Sequence, residues 1–150
     1  MYSRIVVPLD GSALAEQVLP HVIELSRALG GLPVTLIQVV HSPLPHHGLP
    51  EDFGYAEEIL EEADAKATEY LNEVAGKIRD EGIPSVEHRV VRGDIAENIL
   101  QVVGESPGSL VAMASHGRSG LARWALGSVT ERVVRHSVGP TLVIRAAHEE

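Results

Sequence analysis

The chain has 150 residues, 44% of them hydrophobic, which predicts one ordinary domain over residues 1–150 with enough apolar side chains to bury a core. It contains no cysteine, so disulfide frameworks, thiolate zinc sites and cysteine nucleophiles are excluded. A formal net charge of -9 argues against non-specific binding to nucleic acid or to an anionic membrane, because both reward clustered Lys and Arg. The first apolar stretch ends at Asp10, too early for a signal peptide or a membrane span, so we expect a soluble cytoplasmic protein.

Short β-branched runs alternate along the chain with longer segments of helical period, which is typical of a parallel sheet covered by helices. Five strands are predicted, at residues 4–9, 33–40, 85–91, 109–113 and 141–145. Four helices are predicted, one between each pair of consecutive strands. In open sheets of this kind, ligands bind beyond the carboxyl ends of the strands, where the strand order reverses.

The first predicted helix begins near Ser12, and Pro20 inside it either kinks the helix or shifts its start. Its apolar face comprises Leu14, Val18, Val22, Leu25 and Leu29. The second helix spans residues 54–80, with apolar side chains at three- and four-residue spacing: Ile59, Ala63, Ala67, Leu71, Val74 and Ile78. The third begins at a capping Asp94 and ends at Gly104. The fourth begins at Ser128, where Ser128-Val-Thr-Glu131 has the form of a capping box.

Polar and glycine residues follow the first and fourth strands. Asp10, in Pro8-Leu9-Asp10, could accept hydrogen bonds from ribose hydroxyls or an adenine amine, or could simply cap a turn or helix. The fourth strand leads through Gly117 to Gly127-Ser128 at a helix start, a layout that favours a bound phosphate. Residues 115–136 contain one acidic side chain and four arginines: Arg118, Arg123, Arg132 and Arg135. This excess of positive charge fits either a bound polyphosphate or a solvated surface.

The motif that starts at Ala114 has two residues before Gly117 and nine more before Gly127-Ser128. This spacing resembles the ATP-binding signature of the universal stress protein family, Gly-x2-Gly-x9-Gly-Ser/Thr, with Ala114 in place of the first glycine. The resemblance covers nearly the whole chain. It implies an α/β fold of the Rossmann-like adenine-nucleotide alpha hydrolase type, an open five-stranded parallel sheet of order 3-2-1-4-5 with helices on both faces.

The resemblance also implies a ligand, ATP or AMP or ADP, with Mg²⁺ on the phosphates. Asp10 would lie beside the adenosine, Val39 would pair its backbone with the adenine edge, and residues 128–130 would follow the phosphates. The implied contacts are Pro8, Leu9, Asp10, Val39, Met113, Ala114, His116, Gly117, Arg118, Gly127, Ser128, Val129 and Thr130. The family further implies a homodimer formed through the last strand, Thr141–Arg145.

Together with these residues, the resemblance implies a nucleotide-dependent binding module for stress-response regulation, with slow hydrolysis at most. The alternative is a nucleotide-independent interaction protein of the same fold, whose pocket Ala114 has degraded. A hydrolase triad of Asp10, His116 and Ser128 is disfavoured because the chain has no Gly-x-Ser-x-Gly between a predicted strand and a predicted helix. A Walker motif is also missing. The proline-rich loop 41–53 is predicted to be mobile. The sequence does not decide whether Trp124 packs in the core, covers the site as a lid or contacts a partner.

Overall fold

The computed structural model describes residues 1–41, 50–115 and 126–147, with the backbone alone for residues 50–55. Five parallel strands form one sheet of order β3-β2-β1-β4-β5. The strands are β1 (Arg4–Pro8), β2 (Val34–Val40), β3 (Val86–Arg92), β4 (Ser109–Ser115) and β5 (Thr141–Arg145). The helices are α1 (Ala13–Glu16), α2 (Leu19–Ala28), α3 (Pro50–Asp80), α4 (Ile95–Gly104) and α5 (Ser128–His136). The predicted fold class and strand order are confirmed.

The strand order reverses at β1, which pairs with β2 on one side and β4 on the other. Val6 lies opposite Thr35 in β2 and opposite Val111 in β4. The helices that follow β1 and β4 therefore leave the sheet on opposite faces and part at its carboxyl edge. This geometry brings the segment after β1 close to the end of β4.

Side chains alternate along the strands and bury two hydrophobic clusters, one on each face of the sheet. The cluster under α2 and α3 includes Ile5, Val7, Leu36, Leu71 and Ile78. The cluster under α4 and α5 includes Val6, Ile37, Ile99, Val111 and Val133. Helices therefore cover both faces, as expected of a doubly wound sheet.

The first predicted helix is two helices, α1 and α2. Pro20 lies in the first turn of α2, where its missing N–H costs no intrahelical bond, so the proline marks a new start rather than a kink. Leu29 comes directly after α2 and is 40% exposed. Its assignment to the buried face was wrong, because the helix ends before it can point inward.

Helix α3 begins at Pro50, four residues before the predicted start. Ala67, Leu71, Val74 and Ile78 are all buried, as predicted, whereas Ile59 is 54% exposed. The assignment of Ile59 to this face was wrong for a geometric reason. Each four-residue step turns a helix by about 40° beyond a full circle, so three such steps from Leu71 back to Ile59 leave the buried face.

Two local predictions for the remaining elements have different outcomes. Asp94 caps α4 as predicted, since its Oδ1 accepts a hydrogen bond from the Glu97 N–H at 2.8 Å. Strand β4 runs to Ser115, two residues beyond the predicted end. No helix within the described ranges is long and apolar enough to cross a membrane.

Candidate functional site

A cleft opens at the carboxyl edge of the sheet, between β1 and β4 below and α4 and α5 at its sides. Residues from five elements and one turn line it: Pro8, Leu9, Asp10, Ala15, Ile95, Ile99, Met113, Ala114, Val129 and Thr130. Seven of them were predicted as site residues, namely Pro8, Leu9, Asp10, Met113, Ala114, Val129 and Thr130. Its cavity volume is about 90 Å³, below the roughly 300–1,000 Å³ usual for ligand pockets. The walls formed by the described residues therefore enclose less space than an ordinary ligand pocket.

Three lining residues were missed by the sequence analysis: Ala15, Ile95 and Ile99. Ile99 belongs to the hydrophobic cluster under α4, and Ile95 packs against that cluster. Both isoleucine side chains also line the cleft. The position of the two isoleucines in the first turns of α4 could have indicated this role. The first turns of a helix that follows a parallel strand lie at the carboxyl edge of the sheet.

The other predicted site residues lie beside the cleft or outside the description. Gly127 and Ser128 immediately precede the lining residues Val129 and Thr130. Val39 is half-buried in β2 and packs against the cluster under α4. His116, Gly117 and Arg118 lie outside the described residues, as do Trp124 and residues 42–49 of the proline-rich loop.

The backbone N–H and C=O of Val39 are directed toward the β1 side of β2, as the alternation along the strand requires. The Leu9 N–H donates to the Ile37 carbonyl at 2.9 Å, so Ile37 directs its backbone groups to the β1 side. Residues two apart in a strand face the same way. The N–H and C=O of Val39 are therefore directed to that side as well, level with the segment where β1 has ended.

Asp10 is exposed at the cleft and forms a tight turn with Ser12. Its Oδ1 accepts a hydrogen bond from the Ser12 N–H at 2.9 Å, and the Ser12 Oγ accepts one from the Ala15 N–H at 3.1 Å. The turn-capping interpretation of Asp10 thus describes a real contact. A carboxylate has about four acceptor positions, so this contact is compatible with a second acceptor role toward a ligand.

The start of α5 differs from the predicted capping box. Gly127, not Ser128, is the N-cap residue, with φ 90° and ψ 150°, a backbone region open essentially to glycine alone. The Gly127 carbonyl accepts from the Glu131 N–H at 2.9 Å, so Ser128 already belongs to the helix and cannot cap it. Within the described residues no side chain caps α5, and the N–H groups of its first turn lie beside the cleft.

The two described arginines of the basic segment both pair with carboxylates. The Arg132 Nη1 lies 3.1 Å from the Asp94 Oδ1, and the Arg135 Nη2 lies 2.8 Å from the Glu131 Oε1. The hydrogen bond from the Glu97 N–H, and then Arg132, lower the pKa of Asp94 below its usual value. Both described arginines thus have a carboxylate partner, and Arg118 and Arg123 lie outside the described residues.

Ala114 is a strand residue rather than a loop residue. It pairs with Ile144 of β5 and is 9% exposed. Its side chain belongs to the hydrophobic cluster under α2 and α3, on the face opposite the cluster of Met113. The residue lines the cleft, but its methyl group is part of the core.

Comparison with known proteins identifies the family. The model of the universal stress protein family matches residues 1–145, and the chain belongs to that family. The chain is 29% identical over 150 residues to the universal stress protein MJ0531 of Methanocaldococcus jannaschii, covering 100% of this chain and 86% of that protein. The solved structure of MJ0577, from the same organism, superposes with a TM-score of 0.83 at 27% identity and covers 99% of both chains.

A universal stress protein from Archaeoglobus fulgidus, solved in complex with dAMP, has the same fold. Its TM-score to this chain is 0.66 at 23% identity, with 96% of this chain and 98% of that chain covered. At this identity the likeness concerns the fold. The family assignment rests on the match over residues 1–145.

Proposed function

We propose that the chain binds an adenine nucleotide in this cleft, with ATP as the leading candidate, and acts as a nucleotide-dependent regulatory module in the stress response. The observation that carries the proposal is the start of α5, which lies beside the cleft with Gly127 in a glycine-only conformation and no capping side chain among the described residues. Uncapped N–H groups and the positive end of a helix dipole favour a phosphate. Hydrolysis is slow at most in this proposal.

The residues present fit such a ligand in their chemistry. The N–H groups of Ser128, Val129 and Thr130 would hold phosphate, and sequence position adds His116, Gly117 and Arg118 to that set. Asp10 offers acceptors for a ribose hydroxyl or an adenine amine, and the Val39 backbone offers a donor and an acceptor.

Apolar side chains suit the base itself. Leu9, Ile95, Ile99 and Met113 line the cleft and would contact the adenine ring. Mg²⁺, carried on the phosphates, would supply charge neutralisation there. The proposal is also supported by the solved universal stress protein that holds dAMP, an adenine nucleotide.

The second candidate function is a nucleotide-independent interaction protein, which the replacement of a motif glycine by Ala114 would favour. Against it stands the placement of the Ala114 methyl in the core cluster. A methyl group already packed in the core takes little room from a ligand. The substitution alone therefore gives little reason to abandon nucleotide binding.

Isothermal titration with ATP, AMP and GTP tests the proposal. The decisive variant is Asp10→Asn, whose amide oxygen can still accept the Ser12 N–H but whose second position becomes a donor. Loss of a hydrogen bond to a charged group predicts about tenfold weaker ATP binding. Asp80→Asn, at the far end of α3, is the matched control and should bind as the wild type does.

Two results would reject the proposal in its present form. If wild type shows no heat at millimolar ATP while Ala114→Gly binds, the methyl group has closed the pocket. If neither protein binds any of the three nucleotides, the interaction-protein alternative is favoured instead.

Self-association through β5 completes the proposal. The strand forms one edge of the sheet, and Leu142, Val143 and Ile144 are only partly buried. Val134 and Val138, before the strand, are 43% and 84% exposed. An apolar open edge of this kind favours pairing with a second copy.

A further inference from the structure

Gln17 makes two hydrogen bonds to the backbone of one distant residue. Its Nε2 donates to the Ala147 carbonyl at 2.7 Å, and its Oε1 accepts from the Ala147 N–H at 3.0 Å. The two residues are 130 positions apart in the chain. The side-chain amide therefore binds the chain that leaves β5 much as a neighbouring strand would.

The two partners belong to α1 and to the segment that follows β5. Gln17 is the C-cap residue of α1, whose Ala15 lines the cleft. Ala147 follows Ala146, which is 5% exposed and shares a hydrophobic cluster with Ala15 and Ala114. The contact thus joins a cleft wall to the segment that extends the edge strand β5.

Helix α1 needs such support because it is only four residues long. A helix of that length is not stable by its own hydrogen bonds, since nucleation outweighs the few bonds gained. Only Ala15 is buried within it. Its position must come from the Ser12 cap at its start and from tertiary contacts at its end.

The geometry points to Gln17 as a positioning residue for the cleft. By binding Ala147, it fixes the end of α1, and with it the Ala15 wall and the Asp10–Ser12 turn at the start of the helix. The chain beyond β5 is thereby part of the support of the site. The inference rests on the proposed nucleotide site for its effect on ligand, but its mechanical part stands on the protein alone.

The test compares Gln17→Met, which keeps the length of the side chain and removes both hydrogen bonds, with Gln101→Met on the exposed face of α4. A third variant ends the chain at Ala146. Amide hydrogen exchange is followed at Ser12 and Ala15 in every variant and at Ala147 in the full-length chains, and ATP affinity is measured by titration. We expect exchange about tenfold faster at Ala15 in Gln17→Met and in the truncated chain, and a Kd for ATP about 3- to 10-fold higher.

Combining the two changes separates a specific contact from general loosening. The substitution and the truncation each remove the same two hydrogen bonds. Gln17→Met in the truncated chain should therefore change the exchange rate and the Kd no further, whereas two independent structural effects would be additive. Gln101→Met should match wild type in both measurements. Unchanged exchange at Ala15 and Ser12 in Gln17→Met would overturn the inference. A wild type that binds no ATP would refute the proposed function, and the exchange data would still decide the role of Gln17.

Discussion

The Asp94 side chain contacts two helices, α4 and α5. Its carboxylate caps α4 through the Glu97 N–H and also pairs with Arg132 of α5. These two helices form the side walls of the cleft through Ile95 and Val129. One exposed carboxylate therefore links the cap of one wall to the body of the other.

The charge of Asp94 predicts a pH dependence of stability. Because the Glu97 N–H, and then Arg132, lower its pKa in the folded protein, its contribution is present above the usual value of 3.8 and is lost as the pH falls through the lowered value. Asp94→Asn can still cap the helix but carries no charge. The difference in unfolding free energy between wild type and this variant should therefore shrink from pH 6 to pH 3.

Urea denaturation at several pH values measures that difference. Arg132→Gln is the control, because it removes the ion pair and keeps the Glu97 hydrogen bond. It should weaken the pH dependence without abolishing it. A difference between wild type and Asp94→Asn that stays constant from pH 6 to pH 3 would contradict this account.

At the scale of elements, α4 is held at both ends. Asp94 caps its start, and at its other end the Arg4 Nη2 donates to the Val102 carbonyl at 2.5 Å. Arg4 also bonds the Ser109 Oγ at 3.0 Å, with its side chain only 11% exposed. The helix that carries two cleft-lining isoleucines is thus fixed to both β1 and β4.

Two glycines should respond to alanine in opposite directions. A Cβ at Gly139, in the turn between α5 and β5, would overlap the backbone carbonyl of Ser109. Gly139→Ala should therefore destabilise the protein by about 1–3 kcal/mol. Gly76 lies within α3 with nothing within 4 Å of an added Cβ, so Gly76→Ala should stabilise it by about 0.5–1 kcal/mol.

Chemical denaturation of the two variants checks these signs. Both replacements add the same single carbon, so the contrast isolates the surroundings of each glycine. A neutral or stabilising effect of Gly139→Ala would show that the turn before β5 can move away from β4 at little cost.

At the scale of the whole molecule, β5 is an edge strand of the described sheet, and the proposed dimer would pair through it. The Val111 N–H donates to the Pro140 carbonyl, so Pro140, Leu142 and Ile144 direct their backbone groups toward β4. By strand alternation, Thr141, Val143 and Arg145 direct theirs to the open side. The N–H of Val143 is thus available for pairing between copies.

This orientation gives a specific test of the homodimer. Val143→Pro removes an outward N–H and leaves the pairing of β5 with β4, whereas Val143→Ala loses similar packing and keeps that N–H. Light scattering should report a dimer for wild type and Val143→Ala and a monomer for Val143→Pro. A wild type of 16.1 kDa in solution would refute the dimer outright.

The sequence by itself determined the elements whose signals are local. β-Branched runs predicted all five strands, and Asp94 predicted the start of α4, because alternation and capping depend on residues a few positions apart. Most of the cleft residues were predicted from the resemblance to a family rather than from local signals. The order of the strands came from the resemblance to a family, since alternation of strands and helices leaves the order open.

Tertiary structure alone decided the features that depend on distant segments. Ile59 has the spacing of a buried residue but points away from the sheet, and Ala15 became a cleft wall only when α1 packed beside β4. Ser128 has the sequence of a helix cap, yet the backbone of Gly127 places it inside the helix. Gln17 meets Ala147 across 130 residues, and no local pattern encodes that contact, because it forms only after the whole sheet has brought both segments to one edge.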